Sequence, residues 1–528
     1  MSRMTAPKTG ARIRMYRQGQ GDCFLIAFPR VDGDENDPVY VLIDCGYIGG
    51  SQFESVTIRD VIDHIVESTG GVIDYVIVSH EHTDHVNGFT VKDSDGAPLF
   101  DRISIKNLWL AWTEDDEPFA NDLRKRYQDQ LVALAMAERQ MTELGFSGDG
   151  LDNVSALLEL ELGPENERGA FTRNLHEAVG PMFTTFCADS IDGINNKLAI
   201  KYLRNKSERP PSFLRPGQKA FEIEGTLGIR TYVLGPPRDE TLLQHLDPVG
   251  REQFHISPGF ALSGEVEAFH AAVTNLQNGG AASPFARRYA RSEEEIFGME
   301  LDAQTPREAE SQIFQYNSRI YCEAGKPATK EKWRRIDGEW LKSSNSLALR
   351  LNNEVNNTSL VLAFELPTTK KVLLFTGDAQ RGNWISWSDQ SWETPEKKIV
   401  TAKDILSRCV FYKCGHHGSH NATLNGTADD DYPNLGWFAR GEYSKDFVAM
   451  VPVHSSWARS KRGWQHPLPE IENALMKKAR GRVVFNDREC VTRPNPNAKI
   501  GRLTDDEWLE FEQGKVETNV YKEITVWD

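Results

Sequence analysis

The sequence predicts an α/β protein, and three observations carry that prediction. Short apolar runs bounded by glycine and aspartate recur from residue 12 onward, as buried strands do. Between two of these runs Ile58, Val61, Ile62, Ile65 and Val66 recur at helical spacing, and Gly70-Gly71 stops the pattern. Polar residues repeatedly arrive where a strand-like run ends, which is where open α/β architectures build their sites.

The elements follow in order. Residues 13–16 and 23–28 flank the tight Gln18-Gly19-Gln20-Gly21-Asp22 turn, and the run 39–43 ends at Asp44-Cys45-Gly46. After the helix near 58–66, a buried-strand run over 73–78 delivers the chain into Ser79-His80. Residues 103–112 are strand-like, and Leu123, Tyr127, Leu131 and Leu134 then form a helical stripe in a charged segment. A strand-rich return is expected over 196–203 and 228–234, closed by Gly235-Pro236-Pro237. Strand patterns resume over 346–351, 358–364 and 371–375, the last leading into Thr376-Gly377-Asp378. The run 405–413 leads into Cys414-Gly415-His416-His417-Gly418-Ser419, and 447–453 into His454. A helix over 468–479 and strands near 483–485 and 522–527 complete the chain.

The predicted organisation is an N-terminal half of the core (11–112), a helical insertion (113–195), the strand-rich return (196–237), a second insertion rich in Glu, Ala and Gln (238–340) and a C-terminal half of the core (341–528). Neither insertion carries a catalytic motif. Both are expected to cover the core, or to dock a protein partner or a second copy in a homodimer.

A formal net charge of −16 argues against a generic nucleic-acid coating protein, which needs a basic surface. It leaves room for a nuclease, because bound cations and a local Arg/Lys patch attract phosphate even on an acidic molecule. The seven cysteines are scattered and form no CxxC pair, which fits reduced, buried thiols. Residues 1–20 lack the apolar region of a secretory signal, and no apolar stretch approaches the roughly 20 residues a membrane helix needs. A cytoplasmic protein without membrane contact is expected.

His80-Glu81-His82-Thr83-Asp84-His85 is the strongest signal. Three imidazoles and a carboxylate in six residues, fed by an apolar strand, suit a divalent ion such as zinc, or manganese where oxygen ligands dominate. The competing reading is a polar turn rich in histidine by chance.

This segment resembles the HxHxDH signature of the metallo-β-lactamase superfamily, and more narrowly the metallo-hydrolase domain of the ComEC-like group. Gly19-Gln20-Gly21-Asp22, Leu42-Ile43-Asp44-Cys45-Gly46, Leu374-Phe375-Thr376-Gly377-Asp378, Gly415-His416-His417-Gly418-Ser419 and His466-Pro467 resemble that group's further motifs, in the same order. The resemblance covers about half the chain. It implies an αββα sandwich with large, partly helical insertions and a centre of two divalent metal ions, zinc or manganese. His80, His82, Asp84, His85 and Asp378 would hold the metals, with Asp378 bridging, and His416 or His417 would complete the second site. Asp44 would orient the metal loop from behind without ligating. The other histidine of the His416/His417 pair would face the substrate. His466 would hold substrate, complete the metal shell or cap the following helix.

One departure stands out. Many superfamily members place a third histidine between HxHxDH and the Gly-Asp motif, and the matching region was sought at Ser343-Ser344-Asn345-Ser346-Leu347, which has none. His176, His245, His255 or His270 could substitute from an insertion.

Paired divalent ions acidify a water and stabilise charge on a phosphoryl or carbonyl oxygen. Asp84 would orient the resulting hydroxide, with His417 and His466 as further catalytic candidates and an imidazole protonating the leaving group. The resemblance favours a phosphodiesterase or nuclease acting on DNA or RNA. Arg381, Arg459, Lys461 and Arg462 could guide a polyanion, and Trp457 and Trp464 could stack on bases. The alternatives are a hydrolase of a small phosphoester, lactam or thioester, and a binding module that keeps a metal pocket without catalysis.

Overall fold

The computed structural model describes residues 3–33, 35–143, 149–162, 195–254, 348, 351, 353–394, 397–462, 464–490 and 503–528. Its strands are β1 (Ala11–Tyr16), β2 (Cys23–Phe28), β3 (Val39–Cys45), β4 (Val72–Ile77), β5 (Ser104–Ala111), β6 (Ser212–Leu214), β7 (Phe221–Glu222) and β8 (Arg230–Gly235). They continue with β9 (Val361–Glu365), β10 (Val372–Phe375), β11 (Ser391–Glu393), β12 (Ile399–Thr401), β13 (Cys409–Lys413), β14 (Val448–Val451), β15 (Val483–Phe485), β16 (Lys515–Glu517) and β17 (Tyr521–Val526).

Two large sheets form. One runs β16-β17-β1-β2-β3-β4-β5-β6 and the other β15-β14-β13-β10-β9-β8-β7, with β11 and β12 pairing separately. Each large sheet is antiparallel in one half and parallel in the other: β3 to β6 are parallel in the first, and β10, β13, β14 and β15 in the second. The sheets pack face to face. Ile13, Phe24, Ile26 and Ile43 of the first share one core with Leu362, Phe364, Phe375 and Met450 of the second. Continuous burial along β2, β3, β9, β10 and β13 follows, because each strand is covered on both sides.

Helices cover the outer faces. On the first sheet the helix Ile58–Thr69 buries Ile58, Val61, Ile62 and Ile65; its ends are set by a Thr57/Asp60 capping box and a left-handed Gly70. On the second, Trp384, Ile405, Leu406, Ile471 and Leu475 close the outer core. The molecule is therefore an αββα sandwich, as expected.

Three strand expectations are corrected. Residues 196–203, expected in the strand-rich return, lie in the helix Asn195–Lys206. Asn196, Ala199, Ile200 and Leu203 are buried while Leu198 is 39% exposed, a 3.6-residue period that a dense apolar run conceals. The rest of the return, β6 to β8, is extended. Of the run 346–351 the structure describes Ala348 and Leu351, which are helical and buried rather than strand, and residues 353–357 are helical ahead of β9. In 405–413 only β13 is strand, because Ile405 belongs to the helix Ala402–Ser407, capped by Thr401 and Asp404. Of the two expected insertions, the structure describes the helices Pro118–Glu143 and Asp149–Leu162 from the first and residues up to 254 from the second; 255–340 lie outside the described residues.

Candidate metal centre

The carboxyl ends of parallel strands from both sheets meet at one place. β3 delivers Asp44, β4 delivers Ser79 and His80, β10 delivers Asp378, and β13 delivers His416 and His417. The loop turns from β4 into the short helix Thr83–Val86, which carries Asp84 and His85. Residues 79–85 are all buried. The chain crosses itself closely here: a Cβ on Gly46 would stand 2.3 Å from Asp84 C and His85 N, so only glycine fits.

Asp84, His85, Asp378 and His417 each offer a ligand atom within 4.8 Å of the others. His417 Nε2 is 3.0 Å from Asp84 Oδ2, and His85 Nε2 is 3.4 Å from Asp378 Oδ2. His80 Nε2 and His82 Nδ1 face each other at 3.0 Å beside this group. Of the neighbouring histidines it is thus His417 that enters the cluster. His416 and His417 both adopt left-handed backbone angles (φ 44° and 52°), a turn that costs strain and separates the two rings. His416 is partly exposed; its Nδ1 is 3.4 Å from Asn421 Oδ1, and Asn356 Nδ2 stands 3.4 Å from its Nε2.

Each clustered ring is gripped from outside at its other nitrogen. His85 Nδ1 donates to Asp44 Oδ2 at 2.8 Å, and His417 Nδ1 donates to Pro452 O at 2.6 Å. Asp44, itself at φ 57°, also accepts from Ser79 N and from Ser79 Oγ, both at 2.7 Å. With its hydrogen given to Asp44, Ser79 Oγ can only accept from His80 Nδ1, 3.1 Å away. His80 therefore keeps a lone pair on Nε2, aimed at His82. Outward anchoring of this kind is what fixes the tautomer of metal-binding histidines.

The donor set fits divalent ions. Asp84 Oδ1, His85 Nε2 and Asp378 Oδ2 are buried with no hydrogen-bond partner, and such orphans are costly unless a cation takes them. The metal-free cluster is electrostatically tense. Burial opposes ionisation of Asp84 and Asp378, yet the charge of His85 holds both below the ordinary carboxylate range. Burial likewise lowers His85, but Asp378, Asp84, Asp22 and Asp44 drive it well above the imidazole range. Burial holds His416 down at about 4.

Several participants escaped the sequence reading. Lys413, 2% exposed, pairs with Asp22 and lies 3.4 Å from Asp378 Oδ1, a buried ammonium inside the cluster. Asp22, Asp44 and His85 also lie within ligand distance of one another. Asp44 is already served by Ser79 and His85, and Lys413 pairs with Asp22 Oδ2 while Asp22 Oδ1 keeps no hydrogen-bond partner, so this group backs the first from outside. Ser359 Oγ accepts from Asp378 N at 2.9 Å and stands 3.3 Å from His80 Nδ1. The lead-in to β9, Asn356-Asn357-Thr358-Ser359, thus borders the cluster, while residues 343–347 lie outside the described residues. The Ser359 hydroxyl, in contact with both a Gly-Asp residue and a loop histidine, was legible only as a polar residue at a strand start.

The remaining candidates sort as follows. His466 borders the cluster, its ring 5.6 Å from His416 and 6.1 Å from His417, and Gln20 Nε2 donates to its Nδ1 at 3.2 Å. Trp464 stands 5.4 Å from His466 and 6.1 Å from Trp457, which extends an aromatic wall from the cluster to an exposed Arg459. The side chains of Lys461 and Arg462 lie outside the described residues. Arg381 offers no free charge for a polyanion, because Glu252 binds its guanidinium at 2.5 and 2.9 Å. His245 is exposed beside Arg381, so it does not serve as a third histidine; His176, His255 and His270 lie outside the described residues. The five described cysteines are buried and free, and no helix among the described residues is long and apolar enough to cross a membrane.

No family model and no curated protein matches the chain. Among solved structures it is similar to a beta-lactamase domain protein from Burkholderia ambifaria, at 15% identity and a TM-score of 0.18, over 43% of this chain and 46% of that one. So loose a likeness carries neither a fold nor an activity across; the architecture and the cluster rest on the chain's own geometry.

Proposed function

We propose that this chain is a metal-dependent hydrolase of the metallo-β-lactamase superfamily, acting on phosphodiesters and on nucleic acid first. One observation carries the reading: His85 and His417, both buried and each gripped from outside at Nδ1, turn their Nε2 atoms toward Asp378 and Asp84. In it His80, His82 and Asp378 hold one divalent ion and Asp84, His85, His417 and Asp378 the other. Zinc or manganese bound there would supply a nucleophile near neutral pH and charge stabilisation for the substrate.

The chain's own residues do the rest. Asp44 holds the protons of Ser79 and His85 away from the centre, which leaves His80 Nε2 and His85 Nε2 unprotonated for an ion. Lys413 offsets part of the charge of Asp22 and Asp378. His416, partly exposed beside the cluster, is the group placed to face the substrate and give the leaving oxygen its proton. His466, Trp464 and Trp457 line the approach with rings suited to stacking on bases.

A second reading, a small-phosphoester hydrolase, is favoured by one observation. The helices between β5 and β6 close over the metal loop through Glu81–Lys197, Thr83–Asn196 and His82–Glu161 contacts. Labelled single-stranded DNA and bis-p-nitrophenyl phosphate, each with Mn²⁺ or Zn²⁺, separate the two. Cutting of DNA that Asp378→Ala abolishes supports the nuclease; turnover of the small ester alone supports the closed cleft. Equal activity in wild type and Asp378→Ala overturns both.

A further inference from the structure

The helix Asp149–Leu162 contributes more than cover. Val154, Leu157, Leu158 and Glu161 form its buried stripe, at the i, i+3, i+4, i+7 spacing of an apolar face. A carboxylate at the last of these positions, 4% exposed, is costly there unless something pairs with it. Its Oε1 stands 2.8 Å from His82 Nε2, off the N–H axis, so the contact is ionic more than a well-directed hydrogen bond. Neither atom meets the geometry of a hydrogen bond, and the Tyr127 hydroxyl is the other polar group beside the carboxylate among the described residues.

The consequence lies on the opposite side of the ring. A carboxylate beside Nε2 favours a proton at that nitrogen and leaves Nδ1 as the lone pair. Nδ1 is the atom 3.0 Å from His80 Nε2, which Ser79 has already cleared of its proton. Two lone pairs at this separation repel unless a cation joins them. We propose that Glu161 is a positioning residue of the metal centre, fixing His82 with Nδ1 toward the first ion. The helical segment between β5 and β6 thereby becomes part of the site. This rests on the reading of His80 and His82 as ligands.

The test is titration calorimetry of the metal-free full chain with Mn²⁺ and with Zn²⁺, for wild type, Glu161→Ala, Glu161→Gln and Glu161→Asp. Co²⁺ absorption spectra report ligand geometry in parallel. Glu161→Ala should weaken one metal equivalent roughly 10–100-fold and leave the other unchanged. Glu161→Asp should recover most of the loss, and the isosteric Glu161→Gln, which keeps the packing, should fall between. The proposal is overturned if both equivalents keep wild-type affinity in Glu161→Ala and Glu161→Gln, or if both weaken alike, as general loosening of the helix would produce. A wild type that binds two ions while the variants match it sinks the role of Glu161 alone. A wild type that binds none sinks the metal centre with it.

Discussion

Asp44→Asn is the substitution with the most closely defined consequence. The Asp44 carboxylate, 1% exposed, accepts from Ser79 N, Ser79 Oγ and His85 Nδ1 at 2.7–2.8 Å. An amide of the same shape has one acceptor oxygen and an NH₂ group, so at least one of the three donors must meet a donor. Loss of one hydrogen bond to a charged group costs about 1.5–3 kcal/mol. If the NH₂ takes the Oδ2 position it meets His85 Nδ1 and Ser79 Oγ together, so the imidazole proton moves to Nε2, the atom that faces Asp378 at 3.4 Å, and His80 loses the acceptor that clears its own Nε2. If it takes the Oδ1 position it meets the backbone N–H of Ser79, which cannot turn away. The first arrangement places protons where an ion must sit and the second strains the metal loop, so Asp44→Asn should weaken metal binding by roughly 10–100-fold, or about 1.4–2.8 kcal/mol. Calorimetric titration with Mn²⁺, beside thermal unfolding of the metal-free protein, measures both effects. Wild-type affinity for both equivalents in a folded Asp44→Asn would refute the tautomer argument.

Other perturbations probe separate links. Gly46→Ala forces a methyl against the Asp84–His85 peptide; it should destabilise by about 1–3 kcal/mol and weaken metal binding, and a variant matching wild type in melting and titration would contradict the close approach. Lys413→Met leaves Asp22 without its buried cation and should cost the metal-free protein about 3–5 kcal/mol. Because added ions replace the lost charge, the rise in melting temperature on adding Mn²⁺ should be larger in Lys413→Met than in wild type. Trp384→Ala removes a fully buried ring stacked 4.5 Å from Trp387 and should cost about 3–5 kcal/mol in chemical denaturation while metal stoichiometry stays unchanged.

What the sequence made legible follows from how local each signal is. β2, β3, β4 and β10 read correctly because strands buried on both faces are continuous apolar runs. The same rule misread Asn195–Lys206, where Leu198, Ala199, Ile200, Tyr202 and Leu203 crowd together and only packing reveals which face is inside. The loop from His80 to His85 was legible because its residues are adjacent in the chain. Asp44, Asp378 and the Gly-His-His-Gly turn came through ordered strand ends. Lys413 and Ser359 acquire their roles only where two sheets meet, and neither belongs to a local pattern. Glu161 did leave a trace, a carboxylate on an otherwise apolar helical stripe, but its partner lies 79 positions away by the numbering of His82 and Glu161. Arg381 shows the reverse error: its charge was visible, and the Glu252 that neutralises it was not.

If buried His and Asp groups at the strand ends hold divalent metal, elemental analysis of the chain purified with added Mn²⁺ or Zn²⁺, wild type beside Asp378→Ala, will show it. Wild type should carry about two ions per chain, as a bridged centre requires, and Asp378→Ala clearly fewer. A well-folded wild type that retains no metal, or an Asp378→Ala variant that retains as much as wild type, would contradict it.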